Sequence, residues 1–184
     1  MAADPAQSDL MLAYGTLRVG VPPYEDVPLP VRETVCAGVR VPGRLFDLGA
    51  YPAATLHRAV LRGEPGRAGV GEAAAGVGVG EAAVGVGEAA AGVGAFVADV
   101  VRFGLDRPVA DALAVFDDYE EVDPIAAPNI YRRVLIPLAG LVGVPAELAG
   151  RSAWIYEWLG PVEGLTEVPS GDWLTVLASR PVEG

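Results

Sequence analysis

The segment PVADALAVFDDYEEVDP, residues 108–124, carries Asp117, Asp118, Glu120 and Glu121 directly behind an apolar pattern. A carboxylate placed on the apolar face of a helix can take and return a proton near neutral pH, because burial and neighbouring acids both raise its pKa. The helical period separates the four. At roughly 100° per residue from Val109, Leu113 falls at about 40°, Phe116 at about −20° and Glu120 at about 20°. Asp118 points to about 180°, Glu121 to about 120°, and Asp117 to about 80°, at the edge of the stripe. Glu120 therefore extends the row Val109, Leu113, Phe116 that faces the core, while Asp118 and Glu121 look outward. Asp106 is a suitable N-cap, with Pro108 tolerated in the first turn. On this segment alone, a frayed helix end that lets Glu120 reach water is the simpler reading.

A second candidate lies near the N-terminus, where LMLAYGTLR places Gly15 and Thr16 directly behind a short apolar strand, Leu10 to Tyr14. A chain that turns there can leave successive N–H groups unpaired, a cradle for a carboxylate or a developing oxyanion. A plain strand-end turn fits the same residues. Cys36 and His57 are the single cysteine and single histidine, and no recognisable motif flanks either. Cys36 reads as a buried strand residue. One Cys and one His leave only scattered carboxylates for a metal, so no metal is expected.

The elements that must position these residues fit one domain of 184 residues with a substantial core. Net charge is −11, from 13 basic and 24 acidic residues, which argues against nucleic acid and anionic membrane surfaces as partners. A lone cysteine rules out an internal disulfide and suits a reducing compartment. MAADPAQSDL has no basic start followed by an apolar run, and no segment reads as a membrane span. The expected location is cytoplasmic. Nothing in the sequence sets an oligomeric state.

ETVCAGVRVPGRLFDL reads as strand, turn at Pro42-Gly43, strand; GAYPAATL as a turn feeding a further strand through HRAVLR. Residues 64–94 repeat Gly-Glu-Ala-Ala between Gly-Val-Gly units at irregular spacing, too small in side chain to build a core. They read as a flexible insertion between two strands. AFVADVVRF is a strand, followed by the helix above; YRRVLIPL and SAWIYEWL are strands, with VPAELAG between them a loop or short turn. SGDWLTVLAS suits a short terminal helix. Several strands with one clear helix give an α+β class with a mixed or antiparallel, curled sheet. The domain spans residues 9–184, with residues 1–8 a disordered N-terminus.

The motifs occur in an order that resembles the γ-glutamylcyclotransferase-like family, including its AIG2-like and γ-glutamylamine cyclotransferase branches. Tyr-Gly-Thr-Leu follows the first strand; GRLFDLGAYPA matches a Gly-x-Leu and Tyr-Pro region; FDDYEE matches a helix end of the form Leu-Asp-x-x-Glu-Gly; YRR and AWIYEW match later strands. The matches cover most of residues 9–158. Phe116 replaces the usual Leu, Glu121 stands where Gly is usual, and the usual Gly-Glu before the helix either appears as Ala98-Asp99 or is displaced by the insertion.

The resemblance implies a small barrel-like curved sheet with a few helices. It implies Glu120 as general acid/base and Tyr14, Gly15, Thr16 and Leu17 as the substrate-cradling loop. The implied reaction closes a γ-glutamyl group to 5-oxoproline and releases an amine or amino acid, with no cofactor and a small-molecule γ-glutamyl substrate as partner. A non-catalytic small-molecule binding module on the same scaffold is the alternative. Tyr131 and Tyr156 can line a pocket or fill the core. Arg18 and Arg44 can pair with a substrate carboxylate or lie on the surface. Only one of Arg132 and Arg133 can face inward from a strand.

Overall fold

The computed structural model describes residues 8–19, 21, 29–61, 94–104, 108–123 and 129–180. Residues 1–7, the insertion through residue 93, and Asp106 lie outside them.

Apolar residues at both alternations make β1 (Leu10–Ala13) a strand buried on two faces. Leu10 and Leu12 join one core cluster, Met11 and Ala13 the other. β1 ends at Ala13, one residue earlier than the apolar run predicts. A 3-10 turn over Gly15–Leu17 follows. β1 sits in the middle of a seven-stranded sheet ordered β3 (Pro52–Leu56), β2 (Val31–Asp47), β4 (Ala95–Phe103), β1, β6 (Ser152–Trp158), β5 (Tyr131–Pro137), with the short β7 (Thr166–Glu167) paired to β2. The β1–β6 pair is parallel and the others are antiparallel.

β2 (Val31–Asp47) is one strand, not a strand-turn-strand. It pairs with β4 (Ala95–Phe103) as far as Pro42, then with β3 (Pro52–Leu56) from Gly43 onward. Pro42-Gly43 marks a change of partner. The Gly43 N–H donates to the Gly94 carbonyl at 2.9 Å, and a Cβ on Gly43 would lie 2.1 Å from the Thr55 carbonyl oxygen. Gly here permits backbone contact rather than chain reversal. Three register shifts earlier in β2 add twist. HRAVLR is not a strand either: α1 covers Arg58–Leu61.

The sheet curls strongly into a half-barrel, bringing β3 against β6 (Ser152–Trp158) across the curl. One core cluster collects Leu10, Leu12, Phe96, Val100 and Ile155; the other face packs Phe116 and Leu113 of the helix α2 (Val109–Tyr119) against Met11, Val101 and Tyr156. α2 spans Val109–Tyr119, and its N-cap is Pro108 rather than Asp106. Full burial of a side chain such as Phe116 stabilises by about 1.5–3 kcal/mol, enough to fix the helix on the sheet. β5 (Tyr131–Pro137) completes the sheet, a 3-10 turn covers Ala146–Leu148, and α3 (Trp173–Ser179) closes the chain, N-capped by Asp172 through the Leu174 N–H at 3.0 Å. The described residues thus form an α+β fold with three helices where the sequence showed one clearly. None of these helices is long and apolar enough to cross a membrane.

Candidate active site

The Tyr14–Leu17 turn and the end of α2 are far apart in sequence and meet at one cavity of about 140 Å³. Tyr14, Thr16 and Leu17 form part of its wall, and Glu120 and Glu121 another part. Gly15 does not line it. Its φ is +61°, and an added Cβ would lie 2.2 Å from Cγ of Pro52, so glycine serves both the turn and the close approach of β3. Pro52 itself lines the cavity.

Arg18 fixes this turn from behind. Its guanidinium is buried, with Nε 2.9 Å and Nη2 3.1 Å from the two oxygens of Asp99, and Nη1 2.8 Å from Asp172. Asp99 also accepts the Gly38 N–H at 2.9 Å. The turn is therefore tied to β4, β2 and α3, and Arg18 has no role left as a substrate anchor. Arg44 pairs with Glu167 at the surface. Within the turn, the Leu17 and Arg18 N–H groups donate to Tyr14 and Gly15 carbonyls. The Gly15 and Thr16 N–H groups and the Thr16 hydroxyl have no hydrogen-bond partner among the described residues.

Glu120 caps α2: its N–H still donates to the Phe116 carbonyl at 2.9 Å, so its side chain keeps the helical direction expected from the Val109 row. The carboxyl group has no hydrogen bond and no ion pair among the described residues. Part of the residue is open to the cavity, but protein crowds the carboxyl itself, and this desolvation raises its pKa to about 7. Glu157 on β6 is the contrast. It too is buried, and burial alone would raise its pKa, but Arg58 and Arg132 (2.8 Å) hold it below the usual carboxylate value. Glu120 is a half-buried acid without a cation among the described residues.

Glu121 follows at φ +53°, the one non-glycine residue with positive φ among those described. The Val122 N–H donates to the Asp117 carbonyl at 2.7 Å and the Glu121 N–H to the Asp118 carbonyl at 3.3 Å. These are the two bonds of a Schellman cap, in which the left-handed position is usually glycine. Glu121 is exposed, as the helical period predicts, yet it also belongs to the cavity wall.

Tyrosines supply the rest. Tyr51, Tyr119 and Tyr131 join Tyr14, so four of the chain's six tyrosines line the cavity. The Tyr14 hydroxyl donates to the Tyr156 carbonyl at 2.8 Å, and burial, then Tyr131 and Glu120, push its pKa well up. Burial and the neighbouring Glu120 carboxylate likewise raise the pKa of Tyr131, whose hydroxyl donates to the Pro52 carbonyl at 3.2 Å. Tyr156 is core; its hydroxyl donates to Asp117 at 2.8 Å, and Asp117 pairs with Arg133. The helix-edge acid Asp117 is thus structural. Both strand arginines find carboxylates, Arg133 on the α2 side and Arg132 at Glu157.

Cys36 is partly exposed rather than buried; its thiol donates to the Gly143 carbonyl at 3.2 Å, and burial raises its pKa. His57 is exposed, and no contact joins the two. Among the described residues no group of three or more His, Cys, Asp or Glu is arranged to hold a metal.

Tyr14, Thr16, Leu17 and Glu120 are therefore brought together as the motifs suggest. Of the two tyrosines that can line a pocket or fill the core, Tyr131 lines the cavity and Tyr156 fills the core, while Tyr51, Tyr119 and Ile130 carry no sequence assignment beyond the Tyr51-Pro52 motif. No family model, curated protein or solved structure matches the chain.

Proposed function

We propose that this protein is a γ-glutamylcyclotransferase-type enzyme, and that its curled sheet is a γ-glutamylcyclotransferase-like fold. The observation that carries the reading is Glu120: a carboxyl group without a partner, in a cavity, with a pKa raised to about 7 by desolvation. A group so poised is half protonated near neutral pH and can act in both directions of a proton shuttle. The order of motifs along the chain adds the reaction.

In that reaction a γ-glutamyl group enters the cavity with its γ-carbonyl near the Tyr14–Leu17 turn. Glu120 takes a proton from the α-ammonium. The freed amine attacks the γ-carbonyl of the same molecule, and a C–N bond closes the five-membered ring. The unpaired N–H group of Thr16, which lines the cavity, steadies the oxyanion. The original amide C–N bond then breaks as Glu120 returns its proton to the departing nitrogen; the ring nitrogen gives up its second proton through the same carboxylate, and 5-oxoproline and a protonated amine leave. Nucleophile and electrophile are tethered in one substrate, so holding the reactive rotamer lowers the barrier by proximity. Drug-sized ligands fill pockets of about 300–1,000 Å³. A cavity of about 140 Å³ suits a single glutamyl group, with the leaving portion at the mouth.

The test is release of 5-oxoproline from a panel of γ-glutamyl compounds, with the wild type and Glu120→Gln side by side. Lactam from the wild type, and a loss of about 10²–10⁴-fold in the variant, supports the reading. Binding of a γ-glutamyl compound by folded protein without lactam would replace it with the binding module.

A further inference from the structure

The cavity wall carries one sign of charge. Among the described residues it includes two carboxylates, Glu120 and Glu121, and no arginine or histidine. The chain contains no lysine. Every arginine whose side chain is described, except Arg40, pairs with a carboxylate other than these two, and Arg40 donates to the Ser170 carbonyl. A second groove adjoins the cavity, with Glu121 in both walls. It includes the exposed Asp118 beside Ala114 and Val122. A cavity sized for one glutamyl group thus continues into a surface that can hold a longer chain, and that surface is acidic too.

On the reading of the site as a cyclotransferase, the substrate brings its α-amine to Glu120 and its γ-carbonyl to the Thr16 N–H. A free glutamyl group or free glutamine also brings an α-carboxylate. That anion would enter a wall with two carboxylates and no described cation to offset the repulsion. The same residue at the N-terminus of a peptide has a neutral amide in its place. Masking the carboxyl also eases the proton transfer. A peptide α-ammonium releases its proton at about pH 7.7–8.0, close to Glu120 at about 7, whereas an adjacent carboxylate holds the proton more tightly. Matched partners exchange a proton most readily. The peptide continues from the α-carbon, and the adjoining groove can receive it.

We propose that this site cyclises N-terminal glutaminyl residues of peptides to 5-oxoprolyl ends, and that its acidic wall selects a masked α-carboxyl over a free one. The step balances without a co-reactant. The α-amine gives one proton to Glu120 and forms the lactam C–N bond, and the carboxamide C–N bond breaks. The ring nitrogen loses its second proton, and the departing ammonia leaves as ammonium. The inference rests on Glu120 as the proton shuttle of a cyclotransferase.

The experiment measures lactam from glutamine, glutamine α-amide, the C-terminally amidated peptide Gln-Ala-Arg, and γ-glutamyl-alanine, each corrected for its spontaneous cyclisation. In the wild type, kcat/KM for the α-amide exceeds that for glutamine by at least about tenfold. The peptide, whose arginine can reach the acidic groove, exceeds the α-amide. Glu121→Arg puts a cation in the wall without changing the intrinsic reactivity of any compound. It narrows the gap between glutamine and its α-amide several-fold and removes the advantage of the peptide; Glu121→Gln does so in part. Equal values for glutamine and its α-amide, or a gap untouched by Glu121→Arg, overturn the inference, and lactam from γ-glutamyl-alanine in the same assay then leaves the cyclotransferase reading standing. No lactam from any of the four, from protein shown to be folded, overturns both.

Discussion

The Tyr131 hydroxyl donates to the Pro52 carbonyl at 3.2 Å, and so joins β5 to β3, the two opposite ends of the sheet order. The same ring packs edge-on against Trp158 at 5.1 Å between centroids. The bond crosses the curl at the cavity, beside Glu120. Tyr131→Phe keeps the ring but leaves the Pro52 carbonyl without this donor. Loss of one buried hydrogen bond of this kind costs about 1–2 kcal/mol, measured by urea denaturation. Because the bond positions Pro52 in the cavity wall, on the proposed cyclotransferase reading the variant should also lower lactam formation while its circular dichroism stays native.

Glu120 gives a prediction about stability that is independent of turnover. The unfolded chain releases this proton near pH 4.5, whereas the folded protein holds it up to about pH 7. Between those values the folded state binds more protons than the unfolded state, so this group makes stability fall as pH rises. The penalty builds through the folded pKa and above it reaches on the order of 3 kcal/mol. Glu120→Gln cannot ionise. It should match the wild type near pH 4 and exceed it at pH 8, as read from denaturation midpoints at both values. A gain that is equal at both pH values would mean that ionisation of Glu120 is not the source.

On the proposed reading, the same residue sets the acid limb of the reaction. If the ionised form of Glu120 takes the proton, kcat/KM should rise with pH through an apparent pKa near 7. A limb near pH 4.5 would place the base in a solvated position, contrary to the desolvated site described.

Much of this site was legible because helical and strand periods are local properties. The row Val109, Leu113, Phe116 placed Glu120 inward without reference to any partner, and AFVADVVRF is β4 residue for residue. What failed depended on contacts distant in sequence. Pro42-Gly43 has turn composition, yet β2 runs through it because β3 and β4 both accept that backbone. Arg18 could not be assigned because its partners, Asp99 and Asp172, lie 81 and 154 positions away. Tyr51, Tyr119 and Tyr131 come from three separate segments, and their convergence has no local signature beyond their share of a small aromatic content.

Arg18 should behave as a structural anchor with a functional consequence. Arg18→Met leaves Asp99 buried without its cation. Removing one partner of a buried pair costs about 3–5 kcal/mol. Adding Asp99→Asn removes the stranded charge and should recover part of that loss, although the Asn cannot replace the bidentate contact. The recovery is the diagnostic observation: a double variant no more stable than Arg18→Met would assign the cost to packing of the arginine stem instead.

Gly15 and Glu121 both occupy left-handed backbone, and the same substitution logic predicts opposite outcomes. Gly15→Ala introduces a Cβ 2.2 Å from Pro52 Cγ at φ +61°, so it should lose at least about 2 kcal/mol and deform the cavity. Glu121→Gly relieves the strained residue of a Schellman cap whose hydrogen bonds are already formed, and Val122 already packs in the cluster that holds Phe116. It should gain about 0.5–1 kcal/mol, seen as a higher melting temperature. A glutamate held where glycine would be more stable needs a use for its side chain. If Glu121→Gly gains stability and keeps turnover of every substrate unchanged, that side chain has no use at the cavity; if it gains stability and loses preference for a masked α-carboxyl, the strain is retained for recognition.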